Sequence, residues 1–167
     1  ETANEKWNNV ESAYQRRLDL IDNLVNTVKG AADFEKSTLT EIIEARAKAT
    51  NVTIDPSKAT PEQLQSFTEA QNGVNSALSK LLVVVENYPT LTATQAYRDL
   101  MSSLEGTENR INVARVDYNE AIKNYNTRIR KFPANILASI TGFEKRNGFT
   151  AAEGADKAPK VDFSDNK

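Results

Sequence analysis

The longest regular pattern of the chain is a heptad repeat that runs through residues 91–131. Its apolar positions recur at every seventh residue: Tyr97, Leu104, Ile111, Tyr118, Tyr125 and Phe132. No proline interrupts the repeat before its end. A repeat of this length predicts a long helix that packs in a supercoiled bundle.

Three shorter apolar stripes, with steps of three and four residues, predict three more helices at about 3–29, 32–51 and 61–87. Gly30 breaks the stripe between the first two and favours a turn there over one straight rod. Asp33, Thr60 and Thr90 are the predicted caps of the second, third and fourth helices. Pro61 suits the first position of the third helix, and Pro89 stops it.

The predicted fold is all-α: an elongated, antiparallel, up-and-down four-helix bundle with a short fifth helix at about 134–141. Residues 1–146 form the bundle in this prediction. Residues 147–167 are rich in Gly, Ala, Lys, Asp and Ser and have no apolar stripe. We expect this C-terminal tail to be flexible.

Composition removes several classes of function. The chain of 167 residues has no cysteine and no histidine, which excludes thiol and histidine-triad catalysis and the usual zinc sites. We predict no catalytic residues, no cofactor and no metal. The net charge of −2 and the position of the tyrosines in the apolar seam also argue against nucleic-acid binding.

Three polar residues stand inside otherwise apolar seams: Arg17, Gln71 and Glu108. If the chain reverses at Gly30, counting about 1.5 Å per residue from the Pro89 turn puts all three at about 25–29 Å along the bundle. We therefore predict that Arg17 pairs with Glu108, with Gln71 beside them. This layer would set the register of the helices, or else form a small polar binding niche.

Two glycines and two arginines lie at levels of the predicted bundle close to these three residues. Gly73 and Gly106 fall close to the predicted polar layer, which suggests either close approach of the third and fourth helices or space for a ligand. Arg115 lies in the seam one heptad beyond Glu108, with Arg46 at a similar level. The two side chains need either carboxylate partners or an exit to solvent, and of these we expect them to reach outward to solvent.

The end of the fourth helix is basic. It carries Lys123, Arg128, Arg130 and Lys131, and Lys145 and Arg146 follow the short fifth helix. These residues form either an ordinary solvated face or a contact with anionic lipid headgroups. In the second case Ile136, Leu137 and Ile140 would act as a shallow amphipathic segment.

Four segments carry a family resemblance, in the correct order over about residues 5–145. They are VESAYQRRLDLIDNLV at 10–25, EARA at 44–47, ENYPTLTA at 86–93, and the run from Asp117-Tyr118-Asn119 to Phe132-Pro133. On these motifs the chain resembles the LemA family. It departs from the family at Asp22, where proline is frequent.

The resemblance implies a bacterial protein of the cell envelope with one N-terminal membrane helix, which would lie upstream of Glu1, followed by an all-helical domain. It sets neither a molecular function nor the side of the membrane. We expect a membrane-tethered interaction or scaffold domain with a protein partner. The alternatives are a lipid-surface or membrane-shaping module that uses the basic end of the fourth helix, and an enzyme that works with carboxylates, Lys, Tyr or Ser alone.

Overall fold

The predicted all-helical bundle is confirmed in a computed structural model, which describes residues 2–30 and 34–150. Within those ranges the chain forms helices and connections without a strand. The helices are α1 (Thr2–Lys29), α2 (Lys36–Thr50), α3 (Pro61–Val85), α4 (Pro89–Thr92), α5 (Gln95–Arg130) and α6 (Ala134–Thr141).

Local sequence explains where α3 and α5 begin. The Thr60 hydroxyl accepts from the Gln63 backbone N–H, and the Gln63 side chain accepts from the Thr60 N–H, so both ends of a capping box are present. The predicted start of the fourth helix at residue 91, capped by Thr90, is wrong. Residues 89–92 form the separate turn α4, and α5 starts after Thr94, whose hydroxyl accepts from the backbone N–H of Tyr97.

Contacts between the helices give an up-and-down topology. Along α1 and α5, Lys6 pairs with Asp117 at 3.0 Å and Arg17 pairs with Glu108 at 3.1 Å, so these two helices are antiparallel. Helices α2 and α3 are antiparallel too, and their flanks are joined by an ion pair at 2.8 Å between Glu41 and Lys80. The start of α1, the start of α3 and the end of α5 therefore lie at one end of the rod.

The interior contains two apolar clusters, which we call the aliphatic core and the aromatic core. The aliphatic core joins the end of α1, α2, the end of α3 and the start of α5, and includes Leu24, Val28, Ile42, Leu81 and Leu104. The aromatic core joins the opposite halves of α1, α3 and α5. Its rings are Trp7, Tyr14, Phe67, Tyr118 and Phe149.

The segment that follows the predicted domain boundary at residue 146 contacts the bundle. Residues 147–150 pack on the bundle, and Phe149 is buried against Trp7 with its ring stacked at 5.7 Å. A single aromatic residue in a polar segment has no periodicity, so apolar spacing does not predict its burial. The remainder of the predicted tail, 151–167, and the predicted cap Asp33 lie outside the described residues.

Among the described helices, none is both long enough and apolar enough to cross a membrane.

Candidate functional site

The predicted polar layer is centred on Arg17, which is only 1% exposed. Its Nη1 donates to Oε1 of Glu108 at 3.1 Å and to Oδ1 of Asn75 at 2.5 Å. Its Nη2 donates to the side-chain oxygen of Gln71 and to the Gln71 backbone carbonyl at 3.3 Å. The structure thus brings Arg17, Gln71 and Glu108 together and adds Asn75, one turn beyond Gln71 on α3.

Glu108 lies at the edge of the layer. The buried positions of α5 are Leu104, Thr107, Ile111, Ala114, Tyr118 and Ile122, so the seam passes through Thr107 and leaves Glu108 on its flank with 40% of its side chain exposed. Solvent therefore screens the carboxylate, while the guanidinium relies on its protein partners. Arg17 is therefore the residue of the layer that depends most on its hydrogen-bond partners.

Tyr14 borders the same layer. The Arg17 guanidinium carbon lies 5.1 Å from the centre of the Tyr14 ring. Burial raises the pKa of the Tyr14 phenol above its ordinary value, and the nearby Arg115 and Arg17 charges partly oppose that rise.

The hypothesis that the two glycines bring the third and fourth predicted helices close together is wrong. Gly73 and Gly106 are exposed, and a Cβ built on either one meets no heavy atom within 4 Å. Each lies two residues from a member of the layer, which corresponds to a rotation of about 200° around the helix. The predicted level was suitable, but the two glycines do not face each other: Gly73 lines an open groove of about 430 Å³ between α2 and α3, and Gly106 is exposed on α5.

Arg46 and Arg115 each have a protein contact and are half-buried. Arg46 pairs with Asp22 of α1 at 2.5 Å, so it binds a carboxylate instead of extending freely into solvent. The Arg115 guanidinium lies 4.7 Å from the centre of the Phe149 ring. The expectation that both side chains simply reach outward is wrong, because α1 and the C-terminal segment cover them.

Residues 143–150 form a strap that runs antiparallel to the second half of α5. Asn126 makes two hydrogen bonds with the backbone of Arg146, through Nδ2 at 2.8 Å and Oδ1 at 2.9 Å. Asn119 makes the same pair with the backbone of Phe149, at 3.0 and 2.8 Å. The two clamps are about 10.5 Å apart on the helix, which equals about three residues of extended chain.

The tyrosines that precede the clamps reinforce the strap. The Tyr118 hydroxyl donates to the carbonyl of Asn147 at 3.2 Å, and the Tyr125 hydroxyl donates to the carbonyl of Glu144 at 3.0 Å. A Tyr-Asn dipeptide that recurs after one heptad therefore holds the strap. This repeat is visible in the sequence, where apolar spacing alone assigns the two tyrosines to the seam.

The basic residues at the end of α5 are all exposed: Lys123, Arg128, Arg130 and Lys131. Between residues 119 and 150 six Lys or Arg face two Glu, in a chain whose net charge is −2. Positive charge is thus concentrated at one end of the rod. Arg146 links this end to α1, because its Nη1 donates to Asn4 Oδ1 at 2.6 Å.

Large apolar side chains are exposed at the same end. Ile136, Leu137, Ile140 and Phe143 are each at least half exposed. Ala138 is the buried member of α6. Helix α6 therefore packs on α5 through a small residue and leaves its bulky face open, beside the concentrated positive charge.

Comparison with known proteins gives one family. The sequence profile of the LemA family matches residues 6–163. The chain is 33% identical to magnetosome protein MamQ 2 of Paramagnetospirillum magneticum, over 90% of this chain and 62% of that protein. It is 30% identical to magnetosome protein MamQ of Magnetospirillum gryphiswaldense, over 93% and 64%.

A third relative is protein LemA of Metamycoplasma hominis, which is 26% identical over 77% of this chain and 55% of its own length. The chain spans about three fifths of the length of the curated MamQ relatives it matches. The names of these relatives give no substrate and no reaction.

Proposed function

Since the chain belongs to the LemA family, we propose that it is a membrane-tethered helical scaffold domain that binds a protein partner and catalyses no reaction. The tether would be the N-terminal membrane helix expected for the family, joined to the domain at the start of α1. The end of α5 would then face the bilayer, and the α3–α4–α5 turn would point away from it.

The observation that carries this proposal is the composition of the end next to the α1 start. Measured from the Lys6–Asp117 pair, α5 extends past Thr2 by about 14 Å. The exposed cations and the open face of α6 gather on that extension. Such a surface matches a bilayer that a neighbouring tether holds close.

The interior chemistry supports a mechanical role over catalysis. Arg17, the charged residue of the core, is bound by Gln71, Asn75 and Glu108. Its charge is therefore used inside the bundle and is not presented to a substrate. A layer of this kind aligns helices, which is the property that a rigid spacer needs.

Proximity labelling of the full-length, anchored protein in its native cell tests the scaffold proposal. We expect a reproducible set of labelled proteins that differs from the set around an unrelated helical bundle on the same anchor. Photo-crosslinkers at two similarly exposed valines, Val83 on α3 and Val113 on α5, would then locate the binding face. Identical labelled sets for the two bundles would refute the proposal.

The exposed face of α6 favours a second candidate, direct binding of the domain to anionic lipid surfaces. Leu137→Ser/Ile140→Ser should reduce co-sedimentation with anionic vesicles. The matched control is Val113→Ser/Val116→Ser, which has the same spacing of three residues; all four side chains are between 62% and 76% exposed. Equal loss in both double variants, or no binding of the parent protein to anionic vesicles, would contradict this candidate.

A further inference from the structure

A groove between the last two turns of α5 and the strap is lined by Lys123, Asn126, Thr127, Arg130, Lys131 and Lys145. It encloses about 420 Å³. No carboxylate is among the described residues that line it. We propose that this groove binds a phosphate group that carries two negative charges, and that its source is a lipid headgroup at the membrane surface.

The first argument is the spacing of the lining residues on α5. Lys123, Thr127 and Arg130 follow one another at intervals of four and three residues, which keep them on one face of α5, and Lys131 follows directly at the C-cap. Three of the four are cationic. Arg128 is also exposed but does not line the groove. It therefore serves as a cation of the same segment that lies outside the groove.

The second argument is that the strap holds a fourth cation across from this face. The two hydrogen bonds between Asn126 and the Arg146 backbone position the strap at the groove wall, and Lys145 precedes Arg146 directly. Glu144 belongs to the strap too, but its side chain does not line the groove. The arrangement gathers like charges that repel one another until an anion binds between them.

The third argument concerns the charge of the ligand. Four cations around one groove favour a multiply charged anion over a singly charged one. A phosphomonoester carries about −1.5 to −2 charges at neutral pH, whereas a phosphodiester headgroup carries one. A guanidinium can also bind two phosphate oxygens at once. Phosphomonoester lipids therefore fit the groove better than phosphodiester lipids.

This inference rests on the proposed position of the domain at the membrane. Its test is co-sedimentation of the protein with two sets of vesicles matched for surface charge, one containing phosphatidate and the other phosphatidylglycerol. We expect stronger binding to phosphatidate, and we expect Arg130→Ala to remove that preference. Arg128→Ala, which changes the net charge equally, should keep the preference and lower binding to both sets alike, by about fivefold at most.

A second arm uses inorganic pyrophosphate without lipid, measured by calorimetry on the parent protein and the same two variants. If pyrophosphate binding depends on Arg130 but the protein shows no preference for phosphatidate vesicles, the groove is a phosphate site whose ligand is soluble, and the lipid source is refuted. Equal vesicle binding at matched charge together with no pyrophosphate binding would overturn the groove. Loss of binding to every anionic vesicle would instead contradict the lipid-surface candidate, so the two failures are distinguishable.

Discussion

Replacing Glu108 by glutamine tests how strongly the buried arginine depends on its carboxylate. The change keeps a hydrogen-bond acceptor and the side-chain volume but removes the charge that lies 3.1 Å from the Arg17 Nη1 atom. A fully buried pair broken on one side costs about 3–5 kcal/mol, and an exposed pair about 0–1 kcal/mol. Because Arg17 is buried and Glu108 is 40% exposed, we expect a loss of about 2 kcal/mol.

For a domain of this size, that loss corresponds to a fall in Tm of about 4–8 °C. Urea unfolding and thermal melting followed by circular dichroism would measure it. Glu105→Gln is the matched control, an exposed carboxylate on the same helix, and should change stability by less than about 0.5 kcal/mol.

A double-mutant cycle separates the ion pair from other effects of the substitution. In an Arg17→Met background, Glu108→Gln should have almost no effect on stability, since the guanidinium that pairs with Glu108 is absent. If Glu108→Gln lowers stability no more than the Glu105 control does, the carboxylate does not stabilise the buried guanidinium and the reasoning about the layer is refuted.

Three further predictions concern local features. Gly73→Ala should raise the free energy of unfolding by about 1 kcal/mol, because alanine has the higher helix propensity and its Cβ meets no atom. Gly148→Ala should lower the free energy of unfolding by about 1–3 kcal/mol, because its Cβ would lie 2.6 Å from the Asn119 side-chain oxygen. Urea unfolding measures both, and changes of the same sign would contradict the placement of the strap. Burial raises the pKa of Tyr14 and Tyr118, so the unfolded chain loses these protons first and stability should fall as the pH rises above about 10. Urea midpoints at about pH 9 and 11 should differ less in the Tyr14→Phe/Tyr118→Phe variant than in the parent, and an unchanged difference would count against burial as the cause. Thr60→Ala should cost about 1 kcal/mol through loss of the capping box, and the same melt with Thr60→Ser, which keeps the hydroxyl, should show little change.

The helices could be predicted from the sequence because their apolar positions recur with helical spacing over many turns. Axial position could also be predicted, since rise per residue is constant, and this is why Arg17, Gln71 and Glu108 were placed at one level. The direction in which each side chain points is harder to predict. Glu108 is one position from Thr107, the buried residue, and that single step decides whether the carboxylate is enclosed or at the edge.

The strap could not be predicted from apolar spacing, because an extended segment has no helical period and Phe149 is its one buried apolar residue. Its stability comes from hydrogen bonds that two asparagines make with the strap backbone. Side-chain amides at heptad intervals are a weak signal, because exposed asparagines are common on helices. The groove lies between α5 and the strap, so it could not be predicted without the strap.

The division of the interior by Arg17 also bears on how the domain opens. Each apolar cluster draws its contacts from its own half of the helices, and the residues between them are polar. A polar layer between two apolar clusters weakens the cooperativity of unfolding along the bundle. Amide protons in the half closed by the strap should therefore exchange as one unit and those in the other half as a second unit. A force applied through the proposed tether would then unfold the nearer half while the farther half stays folded.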